Sequence, residues 1–189
     1  VKNIFIKKSV KAMIENPTIL SLARAGIKVR DISKNEGQIA ESYFNYNPVK
    51  IGDLLLNPMD LYSGANCNVS KVEGVISPAY VNLESKKENN SDFFIHYFKF
   101  QYWAMIFFAH GRGVSQDNRW TLTNEIIMNY PIPVPPIEEQ NEIADYINKK
   151  TQNIDRIIDA TEQQIKLIEK YKQSLISEVV TGKYKVPGI

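Results

Sequence analysis

Pro131-Ile132-Pro133-Val134-Pro135-Pro136-Ile137-Glu138-Glu139-Gln140 opens a stretch that runs without another proline or glycine to Thr181-Gly182. Within it Ile147, Ile154, Thr161, Ile168 and Leu175 recur every seven residues, with Ile143, Ala144, Ile157, Ile158, Ile165, Tyr171 and Val179 beside them. That repeat is a coiled-coil seam. The ends are marked as well: Pro136 suits a first helical turn, Glu138 and Glu139 favour its positive dipole end, and Gly182 supplies a left-handed closing residue. At 1.5 Å per residue the roughly 45 residues from Pro136 to Thr181 would span about 68 Å. A helix of that length cannot bury its seam against a domain of this size, so it calls for a partner helix. The alternative is a helix broken near Lys149 and Lys150, which interrupt the seam, and folded back on itself.

Working outward, 189 residues with 43% hydrophobic and 11% aromatic content suffice for one core and an appendage. The expected fold is therefore α+β: a mixed globular domain over residues 1–130, a proline hinge at 131–136, the long helix over 137–182 and a tail at 183–189. The single cysteine, Cys67, forms no internal disulfide, and no basic and apolar leader opens the chain. Both features point to a reducing, cytoplasmic setting. The first residue is not Met, which suggests processing or a boundary. The most apolar run, Phe93 to Ala109, contains His96, Lys99 and Gln101 and reads as a core helix, not a membrane span. Lys+Arg number 23 against Asp+Glu 21, a net charge of +2, so any contact with DNA needs locally concentrated charge or help from other subunits.

Before the hinge, Val1 to Asn16 has no decisive pattern. Ile19 to Leu22 and Ile27 to Ile32 read as short strands around Gly26, and Gly37 to Tyr46 as loop and strand edge. Gly52-Asp53 reads as a turn feeding a buried strand at Leu54 to Leu56, ended by Asn57-Pro58. Strand character resumes from Val72 to Val81. Glu84 to Asn90 reads as a solvated loop, and Ser91 or Asp92 as the cap of the helix over 93–109. A last strand or short helix lies around Ile126 to Tyr130.

No enzyme site assembles. Thr181-Gly182-Lys183 lacks the rest of a phosphate-binding loop. Two histidines, His96 and His110, and one cysteine are too few for an obvious zinc site, and Cys67 has no evident base. Pro58-Met59-Asp60 with Glu84-Ser85-Lys86 echoes, loosely, the acidic and lysine pattern of metal-dependent nucleases. Asn57-Pro58-Met59-Asp60 lacks the second proline and the aromatic of an amino-methyltransferase motif.

A stronger constellation is Gly111 to Trp120, where Arg112, Ser115, Gln116, Asn118 and Arg119 are the side chains that pair with base edges and the glycines let backbone amides reach phosphates. Ser63, Asn66, Asn68 and Lys71 form a second candidate reading loop. Trp103 and Trp120 read as core residues. A coiled-coil adaptor that does not read DNA is the alternative from another class.

The run from Pro133 to Ala144, together with Leu175-Ile176-Ser177-Glu178-Val179-Val180-Thr181-Gly182-Lys183, closely resembles the helical region of type I restriction-modification specificity subunits. The preceding domain, with Lys50 to Leu55, Val75 to Tyr80 and Gly113 to Trp120, resembles one of that family's target recognition domains. The resemblance implies a non-catalytic reader of one half of a split double-stranded DNA target. It also implies a long helix that spaces the reading heads and docks methyltransferase subunits; the seam residues Ile147, Ile154, Ile157, Ile158, Ile165, Ile168 and Leu175 are the candidate contacts for a dimer or partner helix. Chemistry then belongs to partners: S-adenosylmethionine with the methyltransferase subunits, and Mg and ATP with the partner subunits that drive methylation, motor action and cleavage. A usual member carries two recognition domains and two helical regions, and this chain has one of each. Two copies pairing their helices antiparallel would rebuild a complete reader, a homodimer recognising inverted half-sites.

Overall fold

The computed structural model describes residues 1–31, 40, 42–59, 61–63, 66–113 and 120–186, and divides into two compact units, Val1–Ala144 and Asp145–Ile189. The fold is α+β, with a long C-terminal helix after a sheet domain.

The main sheet has four antiparallel strands in the order β1 (Phe5–Lys7), β8 (Val81–Ser85), β5 (Leu54–Leu56) and β6 (Cys67–Val69). Its centre explains the apolar run of β5. Successive side chains of a strand point to opposite faces, and here both faces are covered. Leu54 and Leu56 enter one core with Phe5, Cys67, Val81 and Leu83, while Leu55 enters a second with Leu20, Leu22, Val49 and Ile76. The second face is closed by a hairpin of β2 (Leu20–Ala23) and β3 (Gly26–Val29) and by the pair β4 (Asn47–Val49) and β7 (Gly74–Ile76). A side chain at Gly74 would collide with the Thr18 carbonyl and Leu20, so glycine is required for that closure.

The hairpin around Gly26 and the strand at Leu54 to Leu56 are where the sequence places them. Other local features add to that reading or depart from it. Val1 to Asn16 contributes β1, paired in register with β8. The polar run from Glu84 is not all loop, because β8 continues through Ser85, opposite Phe5. The apolar run after it is also not one helix. Asn90, rather than Ser91 or Asp92, caps α1 (Ser91–Trp103), its side chain accepting from Phe93 N at 3.0 Å. Met105 then turns left-handed (φ 58°) before α2 (Ile106–Ala109). That break swings Phe107 into an aromatic cluster with Phe98, Tyr102 and Tyr130, its ring centroids 5.0 to 6.0 Å from theirs. Burial of a ring of this size outweighs the modest backbone cost of one left-handed residue. Trp103, read as core, stands 67% exposed on the outer side of α1, beside exposed Phe100.

After α3 (Asn124–Asn129) and the prolines, α4 runs from Ile137 to Val180, 44 residues without interruption at Lys149-Lys150. Its first turns belong to the sheet domain, with Gln140 and Ala144 buried. Its end is closed as the sequence indicates: Gly182 is left-handed (φ 73°), and Gly182 N and Tyr184 N return to the carbonyls of Val179 and Glu178. Along the seam Ile154, Ile157, Ile158, Ile165, Ile168 and Leu175 are all exposed, and Ile147 is half-buried. Thr151 and Thr161 return their hydroxyls to the carbonyls of Ile147 and Ile157, so both hydroxyls are satisfied within the helix. Among the described residues, no helix is long and apolar enough to cross a membrane.

Candidate nucleic-acid interface

The two candidate reading loops, about fifty residues apart in sequence, share one base. Asn57 is its hub. Its amide donates to Asn66 O at 2.8 Å, its carbonyl accepts from the Tyr102 hydroxyl at 2.5 Å, and its side-chain oxygen accepts from Met59 N at 3.0 Å. The first bond closes the loop that carries Ser63; the second ties it to α1. Burial pushes the Tyr102 hydroxyl well above its ordinary pKa, so it stays a donor at any physiological pH. Next along the chain, Pro58 O accepts from Leu122 N at 2.8 Å, and Leu122 follows the second loop.

That second loop has a defined neck. Arg112 and Thr121 exchange both backbone hydrogen bonds, at 2.8 and 2.9 Å, so one antiparallel bridge joins the chain on the two sides of residues 113–120. The neck is fastened to the first loop through side chains. Leu61, in a 3-10 turn over Leu61–Ser63, lies against Gly111, where a Cβ would press on it at 3.0 Å and collide with the Trp120 indole. Trp120 stacks on Phe108 with 5.7 Å between centroids and donates to Phe108 O at 2.7 Å; Tyr62 meets the same Phe108 at 6.2 Å. Trp120 is thus a half-buried packing residue, in keeping with its reading from the sequence, whereas Tyr62 is 71% exposed beside it. Nothing in the sequence singles out Tyr62, since a lone tyrosine carries no pattern.

The structure therefore brings Ser63, Asn66 and Arg112 to one region. Ser63 ends the 3-10 turn, Asn66 closes the loop, and Arg112 is exposed at the neck. Asn68 lies on β6, its side-chain oxygen accepting from Val69 N at 2.9 Å, and Lys71 is exposed just beyond that strand. Ser115, Gln116, Asn118 and Arg119 lie outside the described residues.

The other chemical candidates resolve into packing. Cys67 is buried, and burial pushes its thiol up to about 12 against the opposing pull of Lys99, which leaves no thiolate nucleophile. His110 packs edge-on against Tyr130 at 5.7 Å. Of the loose nuclease pattern, Glu84 faces Lys8 at 3.8 Å, Lys86 donates to Lys2 O at 2.6 Å, and Asp60 lies outside the described residues.

Fold and site together describe a sheet domain with two segments tied at their bases, followed in the chain by a long helix. Residues 43–170 match the family model described as the type I restriction modification DNA specificity domain. Two curated relatives from Methanocaldococcus jannaschii are similar. The putative type I restriction enzyme MjaX specificity subunit is 28% identical over 119 residues, covering 63% of this chain and 26% of that protein; the type I restriction enzyme MjaVIII specificity subunit is 26% identical over 136 residues, covering 70% and 29%. The chain belongs to the type I restriction modification DNA specificity family, among its non-catalytic specificity components. The matched region spans little more than a quarter of each relative's length.

Proposed function

We propose that two copies of this chain pair antiparallel along α4 to form a complete specificity subunit. Each copy reads one half of a split, symmetric DNA target, and the paired helices dock methyltransferase subunits. The observation that carries this is the unpaired isoleucine seam on a 44-residue helix continuous with a DNA-specificity domain. Charge supports the direction of pairing. From Ile137 to Glu162 there are seven acidic and three basic residues; from Gln163 to Val186 there are five basic and two acidic. Antiparallel helices set the acidic half of each beside the basic half of the other, whereas parallel ones align like with like.

The coupled loops supply the DNA contact, Arg112 in one arm and Ser63 and Asn66 in the other, with Asn68 on β6 and Lys71 just beyond that strand as further contacts. Arginine forks onto guanine and asparagine onto adenine in the major groove. Methylation belongs to partner subunits holding S-adenosylmethionine, and cleavage to motor and nuclease subunits using Mg and ATP, all in the cytoplasm beside the DNA.

Methylome sequencing of cells expressing this chain with its methyltransferase subunit tests the whole assignment. Methylated adenines in a palindromic pair of half-sites separated by a fixed spacer are expected. Methylation independent of this chain would leave it an adaptor, and an asymmetric target would overturn the homodimer.

A further inference from the structure

The β2–β3 hairpin ends in a two-residue turn, Arg24-Ala25, whose closing residue, Gly26, has a φ of 124° that favours glycine. Gly26 is buried against Asn68: a Cβ there would stand 3.3 Å from Asn68 Nδ2. The turn is thereby held against β6, two residues from Asn66, the residue that closes the first reading loop through Asn57. The hairpin is also anchored from below, since Leu20 and Leu22 belong to the second core and Ile27 packs against it. Arg24 itself is exposed and makes no salt bridge among the described residues. A fixed two-residue turn loses little backbone entropy on binding, and the arginine offers a planar guanidinium donor. Arg24 is therefore carried, exposed, on a turn packed beside β6 and next to Asn68.

We propose that the β2–β3 turn is a third DNA-contacting element, with Arg24 bonding a backbone phosphate flanking the bases that the two loops face. This rests on the DNA-reading role proposed above. A phosphate contact positions the domain without carrying sequence information, which separates Arg24 from Arg112.

The test is fluorescence anisotropy of the full chain with a labelled duplex of randomised sequence, over a salt series. Arg24→Ala should weaken binding about five- to tenfold near 100 mM salt and flatten the slope of log affinity against log salt by about 0.9, the value of one released counterion. Arg24→Lys should restore most of the slope, and circular dichroism of each variant should match the unsubstituted chain. An Arg24→Ala variant with unchanged affinity and slope overturns the turn as a contact while leaving the loops in place. Absence of any duplex binding by the unsubstituted chain overturns the reading role and this element together.

Discussion

The amide of Asn90 donates to Gln140 Oε1 at 3.0 Å, joining the residue that caps α1 to the first turns of α4. Gln140 is 3% exposed, and its other polar end donates to Pro135 O at 2.8 Å, while Asn90 Nδ2 reaches Asn141 Oδ1 at 2.7 Å. One glutamine thus fastens the helix start to both the sheet domain and the proline segment. Gln140→Ala leaves the Asn90 amide and the Pro135 carbonyl without these partners, each a buried or half-buried polar group. A loss of about 1 to 3 kcal/mol is expected in urea unfolding followed by tryptophan fluorescence. An unchanged midpoint would show that water replaces both bonds.

Lys8 and Asp53 form a buried ion pair in the sheet domain, Nζ to the two carboxylate oxygens at 2.7 and 2.9 Å. Asp53 also accepts from Lys50 N at 2.8 Å and from Asn82 Nδ2 at 3.2 Å, so it holds the turn into β5. Lys8→Met strands that carboxylate and should cost about 3 to 5 kcal/mol, whereas the double variant Lys8→Met/Asp53→Asn removes both charges and should cost less. Equal or greater loss in the double variant would show that the stranded charge is not what makes the single change costly.

Cys67 gives the domain an alkaline sensitivity. Its thiol stands at about 12 in the fold against an ordinary 9.0, because burial penalises the thiolate. Below pH 9.0 the thiol is protonated in both states and contributes no slope. Between there and about 12 only the unfolded chain releases the proton, so stability falls as pH rises, by about 1.4 kcal/mol per pH unit. Urea midpoints from pH 8 to 10.5 should fall more steeply for the native chain than for Cys67→Ala. Parallel slopes would mean that the thiol ionises freely in the fold.

Arg112 is exposed at a neck fixed by its own backbone pairing with Thr121, so replacing its side chain leaves the loop's anchorage intact. If it forks onto a base, Arg112→Ala should cost about 1 to 3 kcal/mol in specific binding and relax one position of the methylated target. A uniform loss across all sequences would reassign it to the phosphate backbone.

What the sequence disclosed was local. The helix from Ile137 to Val180 was legible because heptad spacing, a preceding proline and a closing glycine all act within a few residues of where they stand. The strand Leu54–Leu56 was legible from its apolar run. The turn at Met105 was not, since Ala104 and Met105 are good helix formers and the break answers to Phe107 and its distant ring partner Tyr130. Lys8 gave no sign of pairing with a residue 45 positions away. The candidate site divides the same way. Its polar side chains stood out by type, but the contact of Leu61 with Gly111, which joins two segments fifty residues apart, is tertiary.

The seam of α4 carries the last prediction. Ile154 and Ile168 are 55% and 67% exposed, and a single helix gains nothing from displaying isoleucine at every second turn. Glutamate at both positions sits on the outer surface of the lone helix, where it costs little of the chain's own stability. In a paired helix the same change places carboxylates within an apolar seam, and each loses the transfer energy of a buried isoleucine, about 2 kcal/mol or more. Ile154→Glu/Ile168→Glu should therefore retain its helical circular dichroism while its mass in light scattering falls to that of one chain. A mass unchanged from the native protein, both alone and with the methyltransferase subunit, would remove the seam as the contact surface.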